Sequence, residues 1–387
     1  MKLSDFATTP TQKRVAEKAD QGKARQEIAD ELDTSLRSVQ RTLQRIKRNA
    51  SRKGWDEDAD LTHPVGANQV LKGASTLYDE EGKVRLQWVK SQPEVEDRIE
   101  VFAQVVEELT TGLKPLPVVK PPKQNDLDLL TLYTFTDYHL GALAQAKETG
   151  ADWDVKIAEK TLWTALTQMM ESSPSSQTAI FNLQGDWQHF DSLEAVTPTS
   201  GHLLDADTRL EKLVELSIKL AMSSVNQLLK KHLKVKVIIC EGNHDITSSV
   251  FLRKTLKTVF ANNERVEVDD TSFPYYAHKH GDIMLGFHHG HKKKNKDLPA
   301  LFASEPRYRE MWGASKYTYI HTGHYHSAEQ DMAEAGGAIV ERHPTLAARD
   351  AYAARGGWVS WRAARAITYH NKRGEVQRVT VVPEEEV

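Results

Sequence analysis

The chain holds a single cysteine, Cys240, among its 387 residues. No disulfide can form within it, and a reducing compartment is its natural setting. Long apolar runs are missing too: none reaches the roughly 18 residues a membrane span requires. The N-terminal stretch MKLSDFATTP lacks the apolar core of a signal peptide. A cytoplasmic protein with no membrane partner is therefore expected. No internal repeat or long low-complexity tract occurs. Excess charge is also scarce, with a formal net of only −3, but that balance is uneven. Residues 1–53 carry 13 Lys/Arg against 7 Asp/Glu, a net of +6, which leaves −9 on residues 54–387. A basic head on an acidic body points to an anionic partner for the head, nucleic acid first.

Within the head, ARQEIADELDTSLRSVQRTLQRIKR places Ile28, Ala29 and Leu32 on one helical face and Val39, Leu43 and Ile46 on a second. Thr34 or Ser35 between them suits an N-cap. Residues 35–53 contain seven Lys/Arg and no acid. Arg37, Arg41 and Arg45 recur at i+4 along the outer side of the second helix, and Lys47 and Arg48 continue the basic stretch. With Ile28-Ala29-x-x-Leu32 followed by Ser38-Val39-x-x-Thr42-Leu43, the segment resembles a helix-turn-helix DNA-binding domain. The resemblance implies that these five cations meet DNA from the second helix.

Residues 54–125 read as a connector. GASTLYDEEGKVRLQWVKS suggests two short strands across Glu80-Glu81-Gly82, with Trp88 as a packed core aromatic. EVEDRIEVFAQVVEELTTGL suggests an amphipathic helix through Ile99, Phe102, Val106 and Leu109. Four prolines in LKPLPVVKPPKQND then make a semi-rigid spacer. A catalytic body is expected over residues 126–387.

In that body, apolar runs end repeatedly in metal-binding residue types. LLTLYTFTDYH ends in Asp137 and His139, and AIFNLQGDWQH in Asp186 and His189. VKVIICEGNHD ends in Asn243, His244 and Asp245. DIMLGFHHGH ends in His288, His289 and His291, and YTYIHTGHYH in His324 and His326. One such ending is unremarkable beside a turn glycine. Five in succession point to strand ends gathered at one edge around a shared ligand.

The ordered series Asp-x-His, Gly-Asp, Gly-Asn-His-Asp, His-Gly and Gly-His-x-His resembles the calcineurin-like metallophosphoesterase superfamily. The resemblance implies a mixed α/β protein whose body is a two-sheet β-sandwich flanked by helices, with the small all-α head attached. It further implies Asp137, His139 and His326 on one metal, Asn243, His289 and His324 on the second, and Asp186 bridging. His289 is chosen over its neighbours because it directly precedes Gly290. His244 would act on the phosphate, with Asp245 orienting it. Two divalent ions against two aspartates keep a charge of +2, which suits an anionic substrate. Seven N and O donors without sulfur suit manganese, iron, zinc or a mixture, with manganese the first expectation.

GDWQHFDS lacks the arginine that phosphoprotein phosphatases carry after Gly-Asp, and instead resembles the Gly-Asp-Leu-Phe-His of SbcCD-type repair exonucleases. That resemblance makes His189 a candidate general acid and DNA phosphodiesters the expected substrate. A phosphomonoesterase or a small or cyclic nucleotide phosphodiesterase is the alternative, and a non-catalytic DNA-binding factor a third reading. Lys292, Lys293, Lys294 and Lys296 follow the fourth ending and could grip a nucleic-acid backbone. The C-terminal part, from His343 onward, is expected to complete the second sheet. The layout resembles bacteriophage and prophage proteins, which would place it in a host cytoplasm, and related nucleases allow a homodimer.

Overall fold

Helices in the N-terminal part follow the apolar spacing. In the computed structural model these are α1 (Pro10–Asp20), α2 (Arg25–Glu31) and α3 (Leu36–Arg52). Of the two candidate caps, Ser35 serves, its hydroxyl accepting the Ser38 N–H at 3.2 Å. Val15, Ile28, Ala29 and Val39 form one small core; Leu3, Phe6, Ala16, Ile46 and Ala50 form a second. Trp55, two residues past the expected boundary at 53, stacks on Phe6 with ring centroids 5.3 Å apart. Strands β1 (Gln69–Tyr78) and β2 (Val84–Pro93) then pair antiparallel. Trp88 is not a core residue: it is 60% exposed, because nothing among the described residues covers that face of the two-stranded ribbon.

The structure describes residues 2–32, 34–56, 60–61, 63–66, 69–93, 119–198, 200–326 and 333–383. The helix expected over 94–113 lies outside them. The chain divides into two units, Met1–Glu107 and Glu108–Val387.

The second unit is a two-sheet sandwich with helices outside. One sheet has the order β13-β12-β3-β4-β5-β6, comprising β3 (Asp126–Phe135), β4 (Ser176–Leu183), β5 (Lys234–Ile239), β6 (Val266–Val268), β12 (Ala364–His370) and β13 (Gly374–Val381). The other, β10-β11-β9-β8-β7, comprises β7 (Tyr276–His280), β8 (Ile283–Phe287), β9 (Tyr317–Thr322), β10 (Ala333–Ala335) and β11 (Ala338–Arg342). The C-terminal segment does not complete the second sheet. Its β12 and β13 extend the sheet that holds β3, with Ile367 opposite Leu132.

Side-chain alternation builds three layers of core. Leu130 and Leu132 of β3, Ile180 of β4, Ile238 of β5 and Ile367 of β12 point between the sheets, where they meet Ile283, Leu285 and Phe287 of β8. Cys240 is buried there as the expected core thiol. The intervening residues, among them Tyr133, Phe135, Phe181, Val237 and Ile239, face outward onto the helices Val155–Ser172 and Leu210–Lys231. Met284, Ile320 and Val340 face Leu298 and Phe302 on the far side. No helix among the described residues is long and apolar enough to cross a membrane.

An ion cluster ties the sheets together. Glu341 on β11 accepts from Arg365 of β12 at 2.6 Å and from Arg378 of β13 at 2.9 Å. His321 and His343 sit beside it, 2.9 Å apart, but guanidinium groups already occupy both Glu341 oxygens. Burial alone would raise the Glu341 carboxyl; His343 and Arg378 bring it down to about 2. A depressed carboxylate stabilises the fold above its unfolded value of 4.5 and loses that contribution as the pH falls toward about 2. Urea unfolding should show Glu341→Ala destabilised by about 3–5 kcal/mol, because Arg365 is left buried and unpaired. Glu341→Gln should lose less stability than the wild type across that window, since the other depressed carboxylates still titrate there.

Candidate metal centre

Parallel pairing brings the five endings together. Phe135, Leu183 and Ile239 are in register across β3, β4 and β5, and Phe287 of β8 lies opposite His321 of β9. All five carboxyl ends therefore reach one edge of the sandwich. The loops there are tight. Among the described residues six non-glycine residues have positive φ, and five are ligand candidates: Asp137, His139, Asp186, His324 and His326, at 45–79°. Such conformations cost free energy and persist where the surroundings impose them. Space imposes glycine at several of these turns. A Cβ on Gly242 would lie 1.9 Å from Asp186 Oδ1, and one on Gly185 (φ 100°) 2.4 Å from the His289 ring.

The side chains form two clusters. In the first, Asp137 Oδ1 lies 3.0 Å from His326 Nε2, and His326 Nε2 lies 3.2 Å from His139 Nε2. In the second, Asp186 Oδ2 lies 3.1 Å from His289 Nε2, and His324 completes a set whose donor atoms all fall within 4.8 Å. The clusters adjoin: His289 Nε2 is 4.0 Å from Asp137 Oδ1. Asn243 Oδ1 is buried with no hydrogen-bond partner, which is how a carbonyl oxygen awaiting a cation looks. The donors present thus fit a pair of divalent ions.

Outer contacts aim these donors. The His289 Nδ1–H donates to the Gln184 carbonyl at 2.9 Å, leaving Nε2 as the free donor. His288 turns away, accepting the Gly290 N–H and stacking on Tyr275. Asp137 Oδ2 accepts from Thr136 Oγ1 at 2.5 Å and from the His324 N–H at 2.9 Å. The Thr345 hydroxyl donates to the Asp137 carbonyl at 2.8 Å. Gln184, Thr136 and Thr345 carry no sequence signal of their own. Only their proximity in the fold gives them a role.

Electrostatics favour cations. Burial opposes ionisation of Asp137 and Asp186, yet imidazoles hold both well below the usual carboxylate range: His326 and His289 at Asp137, His289 and His244 at Asp186. Burial likewise opposes charge on His289, but Asp186 and Asp137 lift it to about 10. A position that holds a proton so firmly has the potential a metal ion needs.

The catalytic candidates are brought into the same place. His189 is buried, with Nδ1 3.3 Å from His139 Nδ1, so it stands behind a ligand candidate. Its carbonyl accepts the His244 Nδ1–H at 2.8 Å, and the two rings stack 5.4 Å apart. The expected pairing of Asp245 with the His244 ring is replaced by another. Asp245 accepts backbone N–H groups from Trp187 and Gly242 at 2.8 Å and from Asp186 and Gln188 at 3.3 Å. Its carboxylate clamps the Gly-Asp loop to the Gly-Asn-His loop, which leaves the imidazole to the His189 carbonyl. Burial, then the Asp186 charge, push Asp245 up to about 7. Arg37, Arg41, Arg45, Lys47 and Arg48 are exposed on α3 in the N-terminal unit, opposite its buried Val39, Ile46 and Ala50.

No family model and no curated protein matches the sequence. Solved structures that align include a dimetal phosphatase from Danio rerio, at 9% identity and TM-score 0.33 over 66% of this chain and 99% of that one. Zinc-complexed Vps29 from Entamoeba histolytica aligns at 11% and 0.27, over 65% and 98%. A conserved protein described as a phosphoesterase from Streptococcus pneumoniae aligns at 8% and 0.26, over 67% and 100%. Likeness of this size transfers no activity, so function has to be read from the site.

Calorimetric titration of the metal-free protein with Mn²⁺ should give two bound ions per chain. Asp186→Ala should remove both from the measurable range. Gly242→Ala should weaken binding at least tenfold while circular dichroism shows a folded chain, since its methyl group would displace the Asp186 carboxylate.

Proposed function

We propose that this chain is a calcineurin-like metallophosphoesterase that hydrolyses DNA phosphodiester bonds, recruited to DNA by its helix-turn-helix. The observation that carries the reading is the adjoining pair of clusters, Asp137–His139–His326 and Asp186–His289–His324, with the orphaned Asn243 oxygen at the same edge. When bound, two divalent ions, manganese by preference, supply Lewis acidity at the phosphoryl oxygen and a nucleophile at neutral pH.

The chain's own residues divide the remaining work. Asp186 belongs to the second cluster, and in this reading it would also serve the first. Its Oδ1 accepts the His244 N–H at 2.9 Å, which fixes the loop that carries the acting imidazole. With Nδ1–H given to the His189 carbonyl, His244 Nε2 is the nitrogen left to meet the phosphoryl group, and in the imidazolium form its second proton can pass to the departing oxygen. His189 holds both His139 and His244, so in this reading it assists departure through the imidazole it positions. The Gly-Asp-Trp-Gln-His sequence, without the monoester-binding arginine, favours a diester. Exposed guanidinium groups spaced by one helical turn on α3 suit the phosphates and base edges of a major groove.

Purified protein with Mn²⁺ should cleave DNA and bis-p-nitrophenyl phosphate. Intact DNA beside rapid hydrolysis of an aryl monoester would overturn the nuclease reading. His244→Ala should lower kcat by roughly 10²–10⁴-fold with the metal content unchanged. The triple substitution Arg37→Ala, Arg41→Ala, Arg45→Ala should reduce the salt dependence of DNA affinity, in log–log slope, by roughly 2.7. Turnover of the aryl diester by that variant should match the wild type.

A further inference from the structure

Exposed apolar side chains in the second unit fall largely on the loops that carry or follow the ligand candidates. Of its eleven large hydrophobic residues described as exposed, seven are Leu193, Leu203, Tyr325, Tyr352, Trp358, Val359 and Trp361. Tyr325 sits between the ligand candidates His324 and His326; the others lie on two loops rooted in the metal centre. The first loop leaves from His189, is tied by Asp191 accepting the Thr247 N–H, and folds back through a Val196–Leu203 pairing. It returns to the Asp-x-His loop, where Asp207 N–H donates to the Gly141 carbonyl at 3.0 Å. The second loop follows Thr345, which holds Asp137, and passes Asp350, close enough for its charge to act on His326. Asp350 caps the short helix Ala351–Arg355, which carries Tyr352. The loops meet where the His202 and Tyr352 rings lie 6.4 Å apart, and Trp358 packs 5.4 Å from Tyr352.

Rings this exposed bury little area in the fold, so packing does not account for them: Tyr352 is 66% and Trp358 55% exposed. Their position beside a phosphodiester site suggests a ligand with flat faces. Lys293, Lys294 and Lys296 follow His291 and form no ion pair among the described residues, while Lys292 is held by Glu241. Tyr325 itself lies under the Arg342 guanidinium, 4.7 Å from the ring centroid.

We propose that Tyr352 and Trp358, on the loop that follows Thr345, form a stacking platform for unpaired nucleobases, so that the centre acts on single-stranded or frayed nucleic acid. This rests on the nuclease reading above. A duplex keeps its base faces stacked on one another and offers nothing to these rings, whereas every unpaired base has a face to give. The platform therefore selects strand state without selecting sequence.

The test uses the full-length protein with Mn²⁺, an unstructured oligothymidylate, the same sequence in a blunt duplex, and bis-p-nitrophenyl phosphate. The platform predicts a single-strand preference in the wild type. Tyr352→Ala and Trp358→Ala should each raise KM for the oligothymidylate roughly tenfold, with kcat little changed. Tyr352→Phe should restore the wild-type KM, and kcat for the aryl diester should be unchanged in all variants. An unchanged KM in both alanine variants would overturn the platform while leaving the nuclease intact. So would light scattering that shows a dimer lost on either substitution with oligonucleotide kinetics unaltered, which would make the face a protein interface. Turnover of the aryl diester with no cleavage of any DNA would sink the nuclease reading and the platform with it.

Discussion

Two carboxylates, Asp137 and Asp186, are buried at one edge of a β-sandwich with no lysine or arginine paired with them among the described residues. Buried charge must be compensated. Here the compensation comes from imidazoles, weak bases that exchange a proton for a metal ion readily. The whole arrangement follows from that choice. Donors have to converge, the loops that deliver them have to bend sharply, and residues with positive φ collect where a fold would otherwise avoid them. Strain in those loops is offset by sheets buried on both faces.

The loops are held to each other as firmly as to their own strands. Asp245 spends its carboxylate on backbone N–H groups of two different loops. Gln184 accepts from His289 through its carbonyl and donates to the His321 carbonyl through its side chain, so one residue links the edges of both sheets. Gly242 lets two backbones approach until a methyl group would not fit. Catalytic geometry in this reading is a property of the contacts between loops. A change at Gln184 or Asp245 would therefore be felt at the centre even though neither faces it.

Much of this was legible in the amino-acid order. Alternating apolar runs that end in Asp, Asn and His marked the central strands and their carboxyl ends, because a residue type with no packing value cannot continue a buried strand. The i, i+4 spacing of Val39, Leu43 and Ile46 marked α3 in the same way. Besides the Asp245 pairing, two readings of the fold went astray, and both turn on partners distant in sequence. Trp88 looked like core, but a ribbon of two strands has a face with nothing among the described residues to cover it. The segment after His343 looked like the end of the second sheet, yet β12 finds β3, more than two hundred residues away. Pairing over that distance leaves no local trace.

The order of residues sufficed to say which side chains are chemically able to hold metal and that they sit at strand ends, since both follow from residue type and local periodicity. It could not say which histidine of His288, His289 and His291 faces the centre by geometry, nor what Asp245 holds. Those outcomes depend on directions in space: His289 is aimed by the Gln184 carbonyl, and Asp245 by four N–H groups that converge only after β4 and β5 have paired. Periodicity ties a side chain to a face, whereas a hydrogen bond between loops requires the positions of both, and only packing supplies them.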